Sequence, residues 1–128
     1  MTDKTRIVSV IDFFRLRKSF RHAGRGLVHT LFFHQNFRIH LAAAVFATGL
    51  GLYFRISSLE WLGILVSIFL VLVAEMINTS LEEIINLVKE DHNERARIAK
   101  DVSAGMVLLA TIFAVLIGVI VFIPYLVR

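Results

Sequence analysis

Apolar and polar positions divide the chain into four helical segments. From Val8 to about His34, apolar residues recur every three or four positions on one face, and arginines and lysines cluster on another. This pattern predicts an amphipathic helix that lies on a membrane surface. Longer apolar segments follow, and they predict three transmembrane helices. The expected bounds are about 8–34 for the surface helix and about 38–55, 59–88 and 101–124 for the spans.

The spans differ in how clearly the pattern defines them. Counted from Ile39 to Phe54, the first has 16 residues, fewer than the roughly 20 that cross a bilayer, so its flanks must extend it. Lys89 to Asp101 is densely charged and is interpreted as a solvated loop. The last span is the clearest, because 26 uncharged residues run from Val102 to Val127.

Composition supports a single membrane domain over residues 1–128. Hydrophobic residues make up 57% of the chain, against roughly 45 to 50% in soluble domains. The fold class is therefore an all-α membrane protein with one surface helix and three transmembrane helices. The absence of cysteine excludes a disulfide framework and a thiolate metal site.

The distribution of cations predicts the orientation of the chain in the membrane. Eight lysines and arginines precede residue 39, and four more lie between residues 89 and 100, whereas Arg55 is the lone cation between the first two spans. The positive-inside rule then places the N-terminus in the cytoplasm of a multi-pass protein of the cell membrane. The net charge of +4 suits anionic headgroups or phosphate better than nucleic acid.

A polar stripe interrupts the second span. At about 100° per residue, five polar side chains fall within roughly 100° of arc on one helix face. A carboxylate in hydrocarbon costs at least about a few kcal/mol, so it is kept where it faces protein, water or a ligand. The stripe therefore predicts a functional site, although Glu82 alone could be an ordinary charge at the membrane interface. Its members are Glu75, Asn78, Thr79, Glu82 and Asn86.

These residue types suit phosphoryl transfer, which needs oxygen ligands for a metal ion, a cation for phosphate and an acceptor for a proton. Glu82 could hold Mg²⁺, Lys100 could meet a phosphate of ATP, and Glu75 could take a proton from a lipid hydroxyl. Two alternatives remain open from the residues alone. A proton-coupled transporter would also keep a glutamate within a span, and a non-catalytic subunit could use the stripe for helix packing.

Two segments resemble one known family. AEMINTSLEE from Ala74 to Glu83, followed by AKDVSAGMVLLA from Ala99 to Ala110, is similar to the prokaryotic diacylglycerol kinase family of small integral-membrane lipid kinases. KSFRHAGRG from Lys18 to Gly26 and NFRIH from Asn36 to His40 resemble the undecaprenol kinase branch. The resemblance covers about residues 13–124. It implies ATP- and Mg²⁺-dependent phosphorylation of undecaprenol or diacylglycerol, in the recycling of phospholipid or envelope lipid.

The resemblance also implies a homotrimer with active sites shared between subunits, and it assigns roles to individual residues. Glu75 is similar to the catalytic base and Asn78 to its partner, and Glu82 is similar to a metal ligand that also lies against ATP. The remaining residues that resemble nucleotide contacts of the family are Arg15, His22, Glu90, Asp91, His92, Lys100 and Asp101.

This chain departs from the family pattern at two positions. His34 stands where many members have a glutamate that serves as the second metal ligand, and imidazole is a poor ligand for Mg²⁺. Asn86 stands where an aspartate is usual. A catalytically impaired homologue is therefore a further alternative. By position alone, His22, His29 and His40 are interpreted as interfacial residues.

Overall fold

The computed structural model describes residues 13–88 and 93–127, and this part of the chain is built from α-helices. Three of them are long and apolar enough to cross a membrane. The predicted fold class, three spanning helices and an additional amphipathic helix, is confirmed. In chain order the helices are α1 (Phe13–Phe33), α2 (Gln35–Phe54), α3 (Ser58–Val88) and α4 (Glu94–Leu126).

The first spanning helix, α2, gains its length from polar residues at its start. It begins at Gln35, has 20 residues, and is therefore about 30 Å long, which matches the hydrocarbon core. His34 separates α2 from α1 with an extended backbone of φ −112° and ψ 112°. The Arg38 guanidinium donates a hydrogen bond to the Phe32 carbonyl at 2.8 Å, so a cation of α2 satisfies the C-terminal end of α1.

The charged segment before α4 was expected to be a loop, and this is wrong from Glu94 onward, where the chain is helical. The Asn93 side chain accepts a hydrogen bond from the Arg95 amide at 2.9 Å, which is a typical N-cap. Glu94 in the first turn interacts favourably with the helix dipole. Glutamate, arginine, alanine and lysine are good helix formers. The charged segment therefore extends α4 beyond its apolar span instead of ending it.

A tight turn joins α2 to α3. Arg55 adopts the left-handed conformation with φ 51°, and the Ile56 amide donates to the Gly51 carbonyl at 3.2 Å, which closes the end of α2. The Ser57 amide donates to the Glu60 carboxylate at 2.7 Å, and the Glu60 amide donates to the Ser57 hydroxyl at 3.4 Å. This reciprocal pair is a capping box that fixes the start of α3.

The apolar core lies at the end of the helices near this turn. Trp61 packs so closely on Gly51 that a β-carbon there would lie 2.9 Å from the indole ring. The Tyr125 hydroxyl of α4 donates to the Glu60 carboxylate at 2.9 Å. Since α3 pairs chiefly with α4 and over a shorter length with α2, this core holds the three helices together at one end. Its buried members are Ile56, Ile64, Val121 and Phe122.

Candidate active site

The first part of the polar stripe of α3 faces the interior of the protein, whereas Asn86 at its end is exposed. Glu75 is 2% exposed, and Asn78 and Thr79 are each 5% exposed, whereas Glu82 is half-buried. Glu75 therefore does not point at acyl chains. This orientation follows from the cost of a charged group in hydrocarbon, which is lowest where the side chain meets protein or a polar ligand.

A hydrogen-bonded chain links α4 to the stripe. The hydroxyl oxygen of Ser103, which is fully buried, lies 2.7 Å from Asn78 Oδ1. The Asn78 amide nitrogen in turn donates to Glu82 Oε1 at 3.3 Å. With its nitrogen toward the carboxylate and its oxygen toward the hydroxyl, the Asn78 amide makes two favourable contacts at once. Ser103 thus sets the orientation of Asn78, and Asn78 sets that of Glu82.

A second polar contact joins α3 and α4, about two turns of α3 beyond Asn78. Lys100 Nζ donates a hydrogen bond to Asn86 Oδ1 at 2.9 Å. The ammonium group of α4 is therefore held at the C-terminal end of the stripe, on the side of Glu82 away from Glu75. Lys100 thus binds one helical turn beyond the half-buried Glu82 carboxylate, and this end of the stripe carries charges of both signs, as binding of a metal–phosphate complex requires.

Glu75 retains hydrogen-bonding capacity. Its ionisable neighbours are His40, Glu82 and His34. Within residues 13–88 and 93–127, Glu75 Oε2 and Thr79 Oγ1 make no hydrogen bond. A buried polar atom left without a partner costs about 1–3 kcal/mol. Both atoms are therefore positioned to bind a further polar group, such as a substrate hydroxyl or water.

A cavity of about 210 Å³ lies between α2, α3 and α4. Val71, one turn before Glu75, contributes to its wall, as does His40. Small side chains from all three helices keep the space open. They are Ala43, Ala44, Ala47, Ser67, Ala114 and Gly118.

The other predicted site residues lie at or beyond the edge of this arrangement. Arg15 and His22 are exposed on α1, and Asp101 is exposed on α4. His34 Nε2 lies 3.8 Å from Glu83 Oε1, so among the described residues it contacts the carboxylate that follows Glu82 in the sequence. The predicted contacts Glu90, Asp91 and His92 lie outside the described residues.

Ser103 is a residue of the candidate site that the sequence interpretation missed. In the sequence it stands beside Ala104 and Gly105, small residues that allow close helix contact. Its spacing offered a signal, because a residue three positions after Lys100 lies on the same side of a helix. If Lys100 faces the stripe, Ser103 faces it as well.

The chain is similar to known proteins over most of its length. A family model described as Prokaryotic diacylglycerol kinase matches residues 21–122. An undecaprenol kinase of Bacillus subtilis is 36% identical over 110 residues, which are 86% of this chain and 89% of that relative. A diacylglycerol kinase of Synechocystis is 35% identical over 107 residues, 83% of this chain and 61% of the relative. One of Helicobacter pylori is 30% identical over 105 residues, 82% of each chain.

Proposed function

This chain belongs to the prokaryotic diacylglycerol kinase family of lipid kinases, and we propose that it uses ATP and Mg²⁺ to phosphorylate the hydroxyl of undecaprenol or diacylglycerol. One observation supports the proposal independently of family membership. A carboxylate inside a spanning helix is buried in the protein, has one oxygen without a hydrogen-bond partner among the described residues, and shares a helix face with a second carboxylate. The proposed setting is the cell membrane, with the N-terminus in the cytoplasm.

The length of α3 supports this use of the two carboxylates. At 1.5 Å per residue, Glu75 lies about 26 Å and Glu82 about 36 Å along the helix from Ser58. With Ser58 at one interface of a hydrocarbon core about 30 Å thick, Glu75 lies just inside the other interface and Glu82 just outside it. A lipid hydroxyl resides at this depth, and a nucleotide approaches it from the aqueous side.

In the proposed reaction, the lipid hydroxyl oxygen forms a bond to the γ-phosphorus of ATP. The bond from that phosphorus to the β,γ-bridging oxygen breaks, ADP leaves, and the hydroxyl proton passes to the Glu75 carboxylate. Such a transfer depends mainly on positioning and on neutralising phosphate charge. Asn78 and Ser103 fix Glu82, and the cavity beside Val71 gives a lipid chain room next to Glu75.

The residues around Glu82 suit a magnesium–nucleotide complex. Mg²⁺ is usually bound by one or two carboxylates together with phosphate oxygens and waters, and Glu82 offers such a carboxylate beside the Asn86 amide oxygen. The ion would neutralise phosphate charge when bound. We propose that Lys100 transfers its hydrogen bond from Asn86 to a phosphate oxygen. The proposed remaining nucleotide contacts are Arg15, His22, Glu90, Asp91, His92 and Asp101, and the proposed assembly is a homotrimer.

A transfer assay tests the proposal. The purified chain in lipid nanodiscs is given ATP labelled in the γ-phosphate together with undecaprenol or diacylglycerol, and labelled lipid is separated and counted. The wild-type chain should label at least one of these alcohols. Failure with both, under conditions in which the protein is folded, would contradict the proposal, and ATP-independent proton flux in liposomes would favour the transporter.

A matched pair of variants tests the role of Glu75. Glu75→Gln keeps the shape of the side chain and removes its ability to accept a proton, so labelling should fall to background. Glu94→Gln makes the same chemical change at a side chain that is 78% exposed and should label lipid as the wild type does. Equal activity of the two variants would remove Glu75 as the base.

A further inference from the structure

Two histidines and a glutamate meet where α1, α2 and α3 come together. His29 belongs to α1, His34 lies at the junction before α2, and Glu83 belongs to α3. One ligand atom from each lies within 4.8 Å of the others. We propose that these three side chains bind a divalent transition-metal ion such as Zn²⁺, and that His34 serves this ion instead of acting as the second ligand of the Mg²⁺–nucleotide site, the role that the resemblance implies for its position.

The break between α1 and α2 creates this arrangement. In a continuous helix, residues five positions apart point about 140° away from each other. The extended backbone of His34, with φ −112° and ψ 112°, removes that constraint. The two imidazole rings consequently lie with centroids 6.0 Å apart. His29 also packs against Phe33, with the two ring centroids 4.7 Å apart. This contact limits the conformational freedom of the His29 side chain.

The distances fit a metal site after a small adjustment. Ligand bonds of about 2.0–2.1 Å in tetrahedral geometry place donor atoms roughly 3.4 Å apart. His34 Nε2 and Glu83 Oε1 are 3.8 Å apart, and the whole set lies within 4.8 Å. The side chains of His34 and Glu83 are 18% and 56% exposed, so rotamer adjustment can close the remaining distance without disturbing the core.

The donor set determines which ion binds. Two imidazole nitrogens and one carboxylate oxygen suit Zn²⁺, whereas Mg²⁺ prefers oxygen ligands throughout. The chain has no cysteine that could compete for zinc as a thiolate. Glu83 is also oriented about 100° around the helix from Glu82, whose carboxylate already accepts a hydrogen bond from Asn78. The two glutamates therefore serve different ions.

Binding would connect parts of the chain that are otherwise weakly joined. Among the described residues, the extended helix contacts are those of α3 with α4, α2 with α3 and α1 with α2. An ion held by His29, His34 and Glu83 would tie α1 directly to the C-terminal part of α3. It would thereby fix the amphipathic helix beside the residues proposed to bind the nucleotide.

Metal titration of the tag-free, chelator-treated chain in nanodiscs tests the site. Co²⁺, whose visible absorption reports coordination, and then Zn²⁺ are added with excess Mg²⁺ present and without ATP or lipid substrate. We expect one ion per chain that Mg²⁺ does not displace, and X-ray absorption at the zinc edge should show two imidazole ligands. Because no turnover is measured, the result is independent of the kinase proposal.

Three variants and one control identify the ligands. Loss of even an outer partner of a metal ligand costs about tenfold or more in affinity, so His29→Asn, His34→Asn and Glu83→Gln should each weaken Zn²⁺ binding at least that much. His22→Asn, on the same helix as His29, should bind as the wild type does. No zinc binding by the wild type, or unchanged binding by the His29 and Glu83 variants with helical content intact, would overturn the proposal.

Discussion

Ser103→Ala removes the group that orients Asn78. The Ser103 hydroxyl lies 2.7 Å from Asn78 Oδ1 and 2.9 Å from the Lys100 carbonyl, and its single proton can serve one of the two acceptors at a time. The shorter contact is to the buried amide. Alanine fits the same space without strain, so the substitution removes the donor and leaves the helix packing in place.

The expected loss follows from the burial of Asn78, which is 5% exposed. An unsatisfied buried acceptor costs about 1–3 kcal/mol. Rotation of the amide by 180° does not recover this energy, because it would place the amide oxygen against Glu82 Oε1, now 3.3 Å from the amide nitrogen. If the cost falls on the transition state, the rate of lipid phosphorylation decreases between about fivefold and 150-fold.

The assay is the initial rate of lipid labelling at saturating ATP and lipid, with thermal unfolding measured on the same samples. Ser80→Ala is the control, because Ser80 is exposed on α3 and its hydroxyl donates within its own helix to the Met76 carbonyl at 2.9 Å. It should retain wild-type activity. Since Ser103 acts through Asn78, adding Ser103→Ala to Asn78→Ala should cause no further loss.

Two results would refute the reasoning. One is a kcat of Ser103→Ala equal to that of Ser80→Ala. The other is full additivity of the Ser103 and Asn78 substitutions, which would show that the two side chains act separately. A decrease in unfolding temperature without a decrease in kcat would assign Ser103 to stability alone.

Two further predictions concern Lys100 and the helix turn. Lys100→Met keeps the aliphatic length of the side chain and removes a charged hydrogen-bond donor worth about 1.5–3 kcal/mol. The KM for ATP should therefore rise roughly tenfold or more, while the KM for lipid stays constant. A change confined to the KM for lipid would contradict the proposed contact of Lys100 with a phosphate. Gly51→Ala should lower the unfolding temperature, because its β-carbon would lie 2.9 Å from the Trp61 ring and overpacking costs about 1–3 kcal/mol. Gly49→Ala, with nothing within 4 Å of the added carbon, should leave the unfolding temperature unchanged or raise it. Equal decreases in unfolding temperature in both variants would show that the contact with Trp61 is not the cause.

The sequence predicted those features whose position is decided by the large free energy of moving charged or apolar side chains between water and hydrocarbon. A carboxylate in an apolar span has few acceptable environments, so the inward direction of Glu75 followed from its position in the chain. The long apolar segments likewise predicted three spans. Helix ends depend on smaller terms. The start of α4 at Glu94 is set by the Asn93 cap and by helix propensity, whereas α2 starts at Gln35 after the extended His34, whose side chain makes no capping hydrogen bond. At the membrane interface, polarity no longer distinguishes helix from loop.

Contacts between helices were beyond the sequence pattern. The spacing from Lys100 indicates which side of α4 carries Ser103, but the bond to Asn78 also depends on the register of α4 along α3, for which residues 25 positions apart give no periodic signal. The meeting of His29 with Glu83 depends on the break at His34, where no proline or glycine indicates a helix end. Such contacts follow from how the helices pack against one another, which the sequence pattern of a single helix does not specify.

The apolar core and the candidate active site lie at opposite ends of the same helix pair. Near the start of α3, the apolar core and the bond from Tyr125 to Glu60 hold α3 and α4 together. Near its C-terminal end, polar contacts of Asn78 and Asn86 join the same two helices. The Lys100–Asn86 contact is proposed to open when a phosphate binds, so the fold cannot depend on it. The distant core supplies the rigidity, so Gly51 variants should change unfolding, and Ser103 variants should change turnover.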